Sequence, residues 1–250
     1  MKREFAKVDI VEFKSKSLKG YTLIEGFPGM GLVGTIGAKY LVEKMEFRKY
    51  GYISSNIFIP IIRIREGKPV YPSRIFINEK KKLVAIISEQ IIPNQFLDDF
   101  ARAIIKWVKQ KGISRVVSLS GIQSYGKEAK GDVYGIAANE KSKKILRKAK
   151  IDLIQEGITS GISALILLDL KTTNIEAFSI LSNISSVADY QAASRVIETL
   201  NKIIGLKIDV KPLLKEAKNT EKELREYMDN LKKTQDNMQR MEPQGPSYTA

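Results

Sequence analysis

Neither cysteine nor histidine occurs in the 250 residues, and tryptophan occurs once. The first absence removes disulfides, thiolate nucleophiles and cysteine-based zinc sites, and the second removes the imidazole base and the histidine-ligated metal. Serine, cysteine and His-Glu metal hydrolases of the usual kinds are thereby excluded. A carboxylate-only Mg²⁺ site, a glycosidase-type carboxylate pair or a lysine nucleophile stays chemically open, but nothing in the chain spaces such residues recognisably. Long apolar runs are lacking too. The best, residues 161–168, is stopped by Asp169, well short of the about 18 residues a membrane helix needs. Met1-Lys-Arg-Glu-Phe-Ala-Lys-Val-Asp9 puts charges where a secretory signal would be apolar. A cytoplasmic protein without membrane attachment is expected.

What is abundant is positive charge: 42 Lys and Arg against 28 Asp and Glu, a formal net charge of +14, beside 43% apolar residues that suffice for a core. The surplus is uneven. Residues 214–250 carry seven charges of each sign, leaving 35 basic against 21 acidic side chains in residues 1–213. At about 100–200 residues per domain, one α/β-sized body over residues 1–212 with a neutral tail fits the length.

Short runs alternate in type along that body. Tyr21-Thr-Leu-Ile-Glu-Gly-Phe27 favours a strand ending in Pro28-Gly29-Met30-Gly31, after which Leu32, Ile36, Tyr40 and Leu41 recur at helical spacing. A strand over residues 8–13 precedes it. Residues 57–64 and 75–77 are rich in β-formers, and Leu83-Val-Ala-Ile-Ile-Ser88 reads as a strand buried on both faces. Phe96, Phe100, Ala103, Ile104, Trp107 and Val108 make one helical stripe that ends at Lys111-Gly112. Residues 116–120, 132–138 and 177–181 read as further strands. Asn139 is expected to cap a basic helix, another helix to open at Gly157 and reach Leu168, and Asp189 to cap a helix running to Ile204. The alternation predicts an α/β fold, a largely parallel sheet between helix layers with right-handed crossovers. Beyond Pro212, Ala217, Leu224, Leu231 and Met238 repeat every seven residues, so residues 213–241 are expected to form a helix packing on the body or on another subunit. Residues 242–250 are expected to be a mobile end.

Gly29-Met-Gly-Leu-Val-Gly34 matches G-x-G-x-x-G and stands between strand and helix, where a dinucleotide fingerprint belongs. Two details oppose a cofactor. No acid closes the next strand, which reads Tyr52-Ile-Ser-Ser-Asn56, and Pro28 removes an N–H just before the turn. The architectural alternative is that the glycines let the chain turn tightly and the helix sit close to the sheet. That weighs more, and no cofactor or metal is assigned. Lys141, Lys143, Lys144, Arg147, Lys148 and Lys150 gather on one helix, a pattern that permits phosphate contact. No aromatic residue is interleaved and no nucleic-acid module signature is present, so a solvated face, with Ile145, Leu146 and Ala149 turned inward, is the simpler reading. Asp98-Asp99 suits a helix first turn by its dipole. Ser120-Gly-Ile-Gln-Ser124 has no base to activate a serine, although its loop stands at a strand's carboxyl end, where pockets form.

Several stretches together resemble one family. Glu25-Gly-Phe-Pro-Gly-Met-Gly-Leu-Val-Gly34, Tyr71-Pro-Ser73, Gly157-Ile-Thr-Ser-Gly-Ile-Ser-Ala-Leu165, Asp189-Tyr-Gln-Ala-Ala193 and Leu200-Asn-Lys-Ile-Ile-Gly-Leu206 look like the proteasome assembly chaperone two family in its archaeal form, over roughly residues 5 to 217. The first stretch is the most specific. The resemblance implies a three-layer α/β/α sandwich with a largely parallel or mixed sheet, similar to nucleoside phosphorylases but without their chemistry, followed by a C-terminal helical tail. It implies an ATP-independent chaperone of 20S proteasome α subunits, a homo-oligomer and no enzyme. It also makes Gly26, Pro28, Gly29, Gly31 and Gly34 a structural loop. Some members end in a hydrophobic-Tyr-any tripeptide that docks between α subunits. Here the ending is Pro246-Ser247-Tyr248-Thr249-Ala250, with the tyrosine third from the end and a serine before it. Tyr248, Thr249 and Ala250 are the candidate partner-binding residues, since a flexible leader, an aromatic ring and a carboxylate can reach a lysine-bearing pocket.

Three functions from different classes follow: a binding protein of the proteasome, a nucleotide- or dinucleotide-binding enzyme using residues 29–34, and a basic nucleic-acid binder. Complex formation with α subunits, stabilisation by nucleotides and steep salt dependence separate them.

Overall fold

The computed structural model describes residues 6–123 and 133–215, and residues 226, 229, 230, 232 and 233 of the C-terminal segment. In chain order the elements are β1 (Val8–Glu12), β2 (Thr22–Gly26), α1 (Val33–Lys44), β3 (Arg48–Ser55), β4 (Arg63–Arg65), β5 (Lys68–Val70), β6 (Ser73–Asn78), β7 (Leu83–Ser88), α2 (Leu97–Lys111), β8 (Arg115–Ile122), β9 (Val133–Ala137), α3 (Glu140–Lys148), β10 (Asp152–Leu153), α4 (Ile162–Leu170), β11 (Glu176–Asn183) and α5 (Tyr190–Ile204). Nine strands form one sheet in the order β1-β3-β6-β7-β2-β8-β11-β9-β10, while β4 and β5 form a separate two-stranded ribbon.

The sheet is mixed. Its centre, β7-β2-β8-β11, is parallel, whereas β1-β3, β3-β6, β6-β7 and β9-β11 pair antiparallel. Connection length decides this. Only residues 79–82 join β6 to β7, too few for the crossover of a dozen or more residues that parallel pairing needs. The buried apolar runs of β2 and β7 lie at the centre, covered on both faces.

Helices α2 and α4 cover one face, packing Phe100, Ile104, Val108, Ile166 and Leu170 on Leu23, Ile86, Val116 and Ala177. Helices α1, α5 and α3 cover the other, where Val33, Ile36, Val196, Ile197 and Leu146 meet Ile24, Val117, Phe178 and Ile180. The caps follow local chemistry. The side chain of Asn139 accepts the Ser142 N–H at 3.1 Å, that of Asp189 accepts the Ala192 N–H at 2.7 Å, and Gly112 ends α2 in the left-handed region.

Two expectations shift. Residues 57–64 do not form a strand of the main sheet. The Glu66-Gly67 turn, with φ of 53° and 72°, folds 63–65 back on 68–70, as such two-residue turns do. Helix α4 begins at Ile162 instead of Gly157, because Gly161 stands at φ 88° and breaks the helical path just before it. Residues 211–215 are helical, with Leu213 buried against the α1 and α5 side. Most of the heptad segment expected over 213–241, and all of 242–250, lies outside the described residues.

Candidate functional site

Central strand β2 leads through α1 toward one side of the sheet, while its neighbour β8 leads toward the other. The carboxyl ends of β2 and β8 therefore flank a topological switch point, where open α/β sheets bind ligands. Four of the five stretches noted above converge at this end. The Ser163 hydroxyl of α4 donates to the Glu25 carboxylate, the Asp189 N–H donates to the Gly31 carbonyl at 2.8 Å, and the Ser73 and Ser88 hydroxyls pair at 2.7 Å beside the end of β7. The fifth works elsewhere: Asn201 closes the end of α5 by bonding Ile208 through both amide atoms.

The glycine stretch is built for close approach. A Cβ on Gly34 would stand 2.4 Å from the Leu119 carbonyl oxygen, and one on Gly26 would stand 2.5 Å from both the Ala38 Cβ and the Gly34 carbonyl oxygen. Between Pro28 and α1 the chain makes a single tight turn with Gly31 at φ 63° and Leu32 at φ 50°. Burial of the Leu32 side chain offsets the strain of that conformation. Gly29 has no such crowding, its nearest neighbour being the Ser120 Oγ at 4.0 Å.

The turn packs closely on the end of β8. The Met30 carbonyl oxygen lies so close over Gly121 that a Cβ there would meet it at 2.3 Å, and the Ile184 side chain packs against both Gly31 and Gly121. The backbone of the turn and the Ile184 side chain thus pack directly on the carboxyl end of β8.

Beneath the turn, Glu25 is 0% exposed. Its carboxylate takes the Ser163 hydroxyl and, at 3.4 Å, the Phe27 N–H, with the buried Ser118 hydroxyl paired opposite on β8. Burial pushes this carboxyl above its usual range, against the hydroxyls of Ser118 and Ser163 and the Phe27 N–H, which favour the charged form. This buried carboxyl, which bonds α4 to β2, is a structural tie. Asp189 is tuned the other way. Burial raises it, but the Ala192 and Ser185 N–H groups, the Ser185 hydroxyl and the Arg195 charge outweigh that and hold it low.

The other residues singled out from sequence are scattered. Asp98 pairs with Arg102 at 3.0 Å, and Asp99 accepts the Ala6 N–H at 3.0 Å. The basic helix is α3, with Leu146 buried, Ile145 packed beside it, and Lys141 and Lys143 on Asn174 and Glu140. Tyr248, Thr249 and Ala250 lie outside the described residues. Among the described residues no group of three or more Asp and Glu could hold a metal, and no helix is long and apolar enough to cross a membrane.

Sequence reasoning passed over Glu25 as a single residue, because a lone glutamate in a strand carries no spacing signal. It also missed Glu89, buried at the end of β7 between Arg63 and, at 3.1 Å, Arg74.

These features define a three-layer α/β/α sandwich whose glycine loop packs tightly on the carboxyl end of β8. The chain belongs to the PAC2 family, whose model matches residues 23–228. An uncharacterized protein of Methanocaldococcus jannaschii is 29% identical over 223 residues, 88% of this chain and 91% of that one. The crystal structure of Pyrococcus furiosus PbaA, described as an archaeal homolog of proteasome-assembly chaperone, superposes with a TM-score of 0.82 at 28% identity, covering 92% of this chain and 100% of that chain. Human proteasome assembly chaperone 2 is 26% identical over 116 residues, 43% of this chain and 44% of its own length.

Proposed function

We propose that this chain is an ATP-independent proteasome assembly chaperone or proteasome-binding protein, working without catalysis in the cytoplasm as a homo-oligomer. It binds 20S α subunits through the surface of its basic body, residues 1–212, and through the tail Tyr248-Thr249-Ala250 carried by the C-terminal segment. The observation that carries this reading is the likeness to PbaA, which spans nearly the whole of both chains. The tight packing of the glycine turn on β8 supports binding by surface over binding of a nucleotide. A surplus of 14 positive charges suits an acidic partner surface.

Native gels and sedimentation with recombinant α subunits of the same organism test it. A complex at low ionic strength is expected, weakened when Tyr248 to Ala250 are removed. Absence of any complex at low salt overturns the reading, and a complex untouched by the truncation overturns the tail's part in it. NAD, NADP and ATP are expected to leave the melting temperature unchanged, whereas a ligand at about 100 times its Kd would add about 2.7 kcal/mol.

A further inference from the structure

The two helix layers do not cover the sheet equally. Helix α2 reaches the edge, where Val8, Ile10, Tyr50 and Ile53 pack under it. On the opposite face α1 packs over β2, β7 and β8, and its last sheet contact toward that edge is Phe76 of β6. Among the described residues, no helix packs over the outer part of that face, on β1 and β3. Register places Val11 opposite Tyr52 and Tyr52 opposite Arg74, and paired residues share a face. Phe13, two residues beyond Val11, joins them, its ring 6.1 Å from that of Tyr52. The shelf's aromatic end is open: Phe13 is 61% exposed, with Val11 and Tyr52 half-buried beside it.

The β4-β5 ribbon extends the shelf. Arg63 pairs with Val70 and Ile64 with Pro69, so Ile62, Ile64, Pro69 and Tyr71 lie on one face of the ribbon and Arg63, Arg65 and Lys68 on the other. Ile62, Ile64 and Tyr71 are 66%, 69% and 50% exposed. The ribbon is held rigidly. Tyr71 stacks on Tyr52 with ring centroids 3.6 Å apart, Arg63 binds the buried Glu89, and the Gln90 side chain donates to the Ile59 carbonyl at 3.2 Å. A two-stranded ribbon has no core of its own, so a fixed apolar face on one marks an interaction surface.

We propose that this shelf and ribbon face form a docking surface for an amphipathic helix of a partner protein, apolar on one side and flanked by acidic residues. A helix is the element that would complete the interrupted layer. The acidic flanks follow from charge: Lys14 follows Phe13, Lys49 stands opposite Phe76 and Lys68 lies on the ribbon, while the exposed carboxylates Asp9 and Glu66 are already paired with Lys7 and Arg65. A second copy would bring the same cations and a body of like charge against them. An added strand is disfavoured, because Pro69 removes an N–H from β5. The proposal rests on the reading of this chain as a binding protein, but it needs neither the tail nor the proteasome.

The probes are two labelled peptides of about five helical turns, with the same leucine face and either glutamate or lysine on the other, titrated into the full chain by fluorescence anisotropy. The acidic peptide is expected to bind at least about tenfold more tightly at low salt. The Ile62→Ser/Ile64→Ser variant is expected to weaken it about tenfold, with Arg65→Glu/Lys68→Glu weakening it through charge alone. Leu168→Ser, which removes an exposed apolar residue from the opposite helix layer, is expected to leave it unchanged. Both isoleucines are exposed, so the variants should fold, and Phe13→Ala tests the shelf without touching the ribbon. No binding, equal binding of the two peptides, or equal loss in Leu168→Ser overturns the proposal. So does dissociation of a wild-type oligomer by Ile62→Ser/Ile64→Ser, which assigns the surface to a second copy. Peptide binding without α-subunit binding retains this surface and defeats only the proteasome reading.

Discussion

Replacing Gly34 by alanine separates the two meanings of the glycine stretch. Gly34 lies in the first turn of α1, where alanine is worth about 1 kcal/mol more than glycine by helix propensity. The new Cβ, however, would stand 2.4 Å from the Leu119 carbonyl oxygen on β8 and 3.2 Å from the Phe27 carbonyl oxygen. Both obstacles are backbone and cannot rotate away, so the helix itself must lift from the sheet. Overpacking of this kind costs about 1–3 kcal/mol, and the upper end applies where no side chain can yield. The net expectation is a loss of about 2 kcal/mol, or about 4–8 °C in Tm for a chain of this size. Gly37, in the same helix, is the internal comparison. A Cβ there meets the Leu119 Cδ1 at 3.1 Å and Ile197 carbons at 3.8 Å, all at the ends of side chains that can shift. Gly37→Ala should therefore be neutral or stabilising by up to about 1 kcal/mol. Urea unfolding followed by the single tryptophan is the assay. Trp107 is buried and donates its indole N–H to Glu12 at 2.6 Å, so its emission reports the native core. Equal effects of the two substitutions would refute the close-approach argument. A Gly34→Ala protein as stable as wild type that had lost affinity for a nucleotide would instead restore the cofactor reading.

Two carboxylates should respond to pH with opposite signs. Burial raises Glu25 in the folded chain, so the native state holds that proton more tightly and stability falls as pH rises from the ordinary glutamate range through the raised folded value. Glu25→Gln should remove that fall, and parallel urea midpoints for the two proteins between about pH 4.5 and 8 would contradict it. Asp189 is held low when folded, so its contribution is full above the ordinary aspartate range and is lost as pH drops through the folded value. Asp189→Ala should cost about 2 kcal/mol near neutrality, combining the α5 cap with the bonds to Ser185. A wild-type melting curve in that variant would show that the cap is dispensable.

Local signals were read well where the chemistry is local. Asn139 and Asp189 announced helix starts because a short polar side chain before an apolar stripe has few other uses. Gly112 announced a helix end, and the apolar run at residues 83–88 announced a strand covered on both sides. The antiparallel half of the sheet was hidden, because strand direction depends on which segments pair. Residues 57–64 misled for a similar reason. Their isoleucines have strand propensity, yet only residues 63–65 form a strand, folded back by the Glu66-Gly67 turn into a separate ribbon, while Ile57 and Ile59 pack on the core from irregular chain. The dinucleotide match is the reverse case: of its three glycines, Gly31 and Gly34 serve close packing here, and only the positions of Ile184 and Leu119 reveal it.

The sequence by itself determined the absence of thiol and imidazole chemistry, the basic body with its neutral tail, the alternation of strands and helices, and the family likeness. Each depends on composition or on neighbours in the chain. Tertiary structure alone decided that Glu25 is buried beneath a loop, that the glycine turn packs on the end of β8, and that among the described residues one helix layer stops short of the sheet edge. These depend on residues far apart in sequence meeting in space: Glu25 with Ser163, Gly121 with Met30, Tyr52 with Tyr71. Burial and exposure are properties of such meetings, so no reading of the residues in order could assign them.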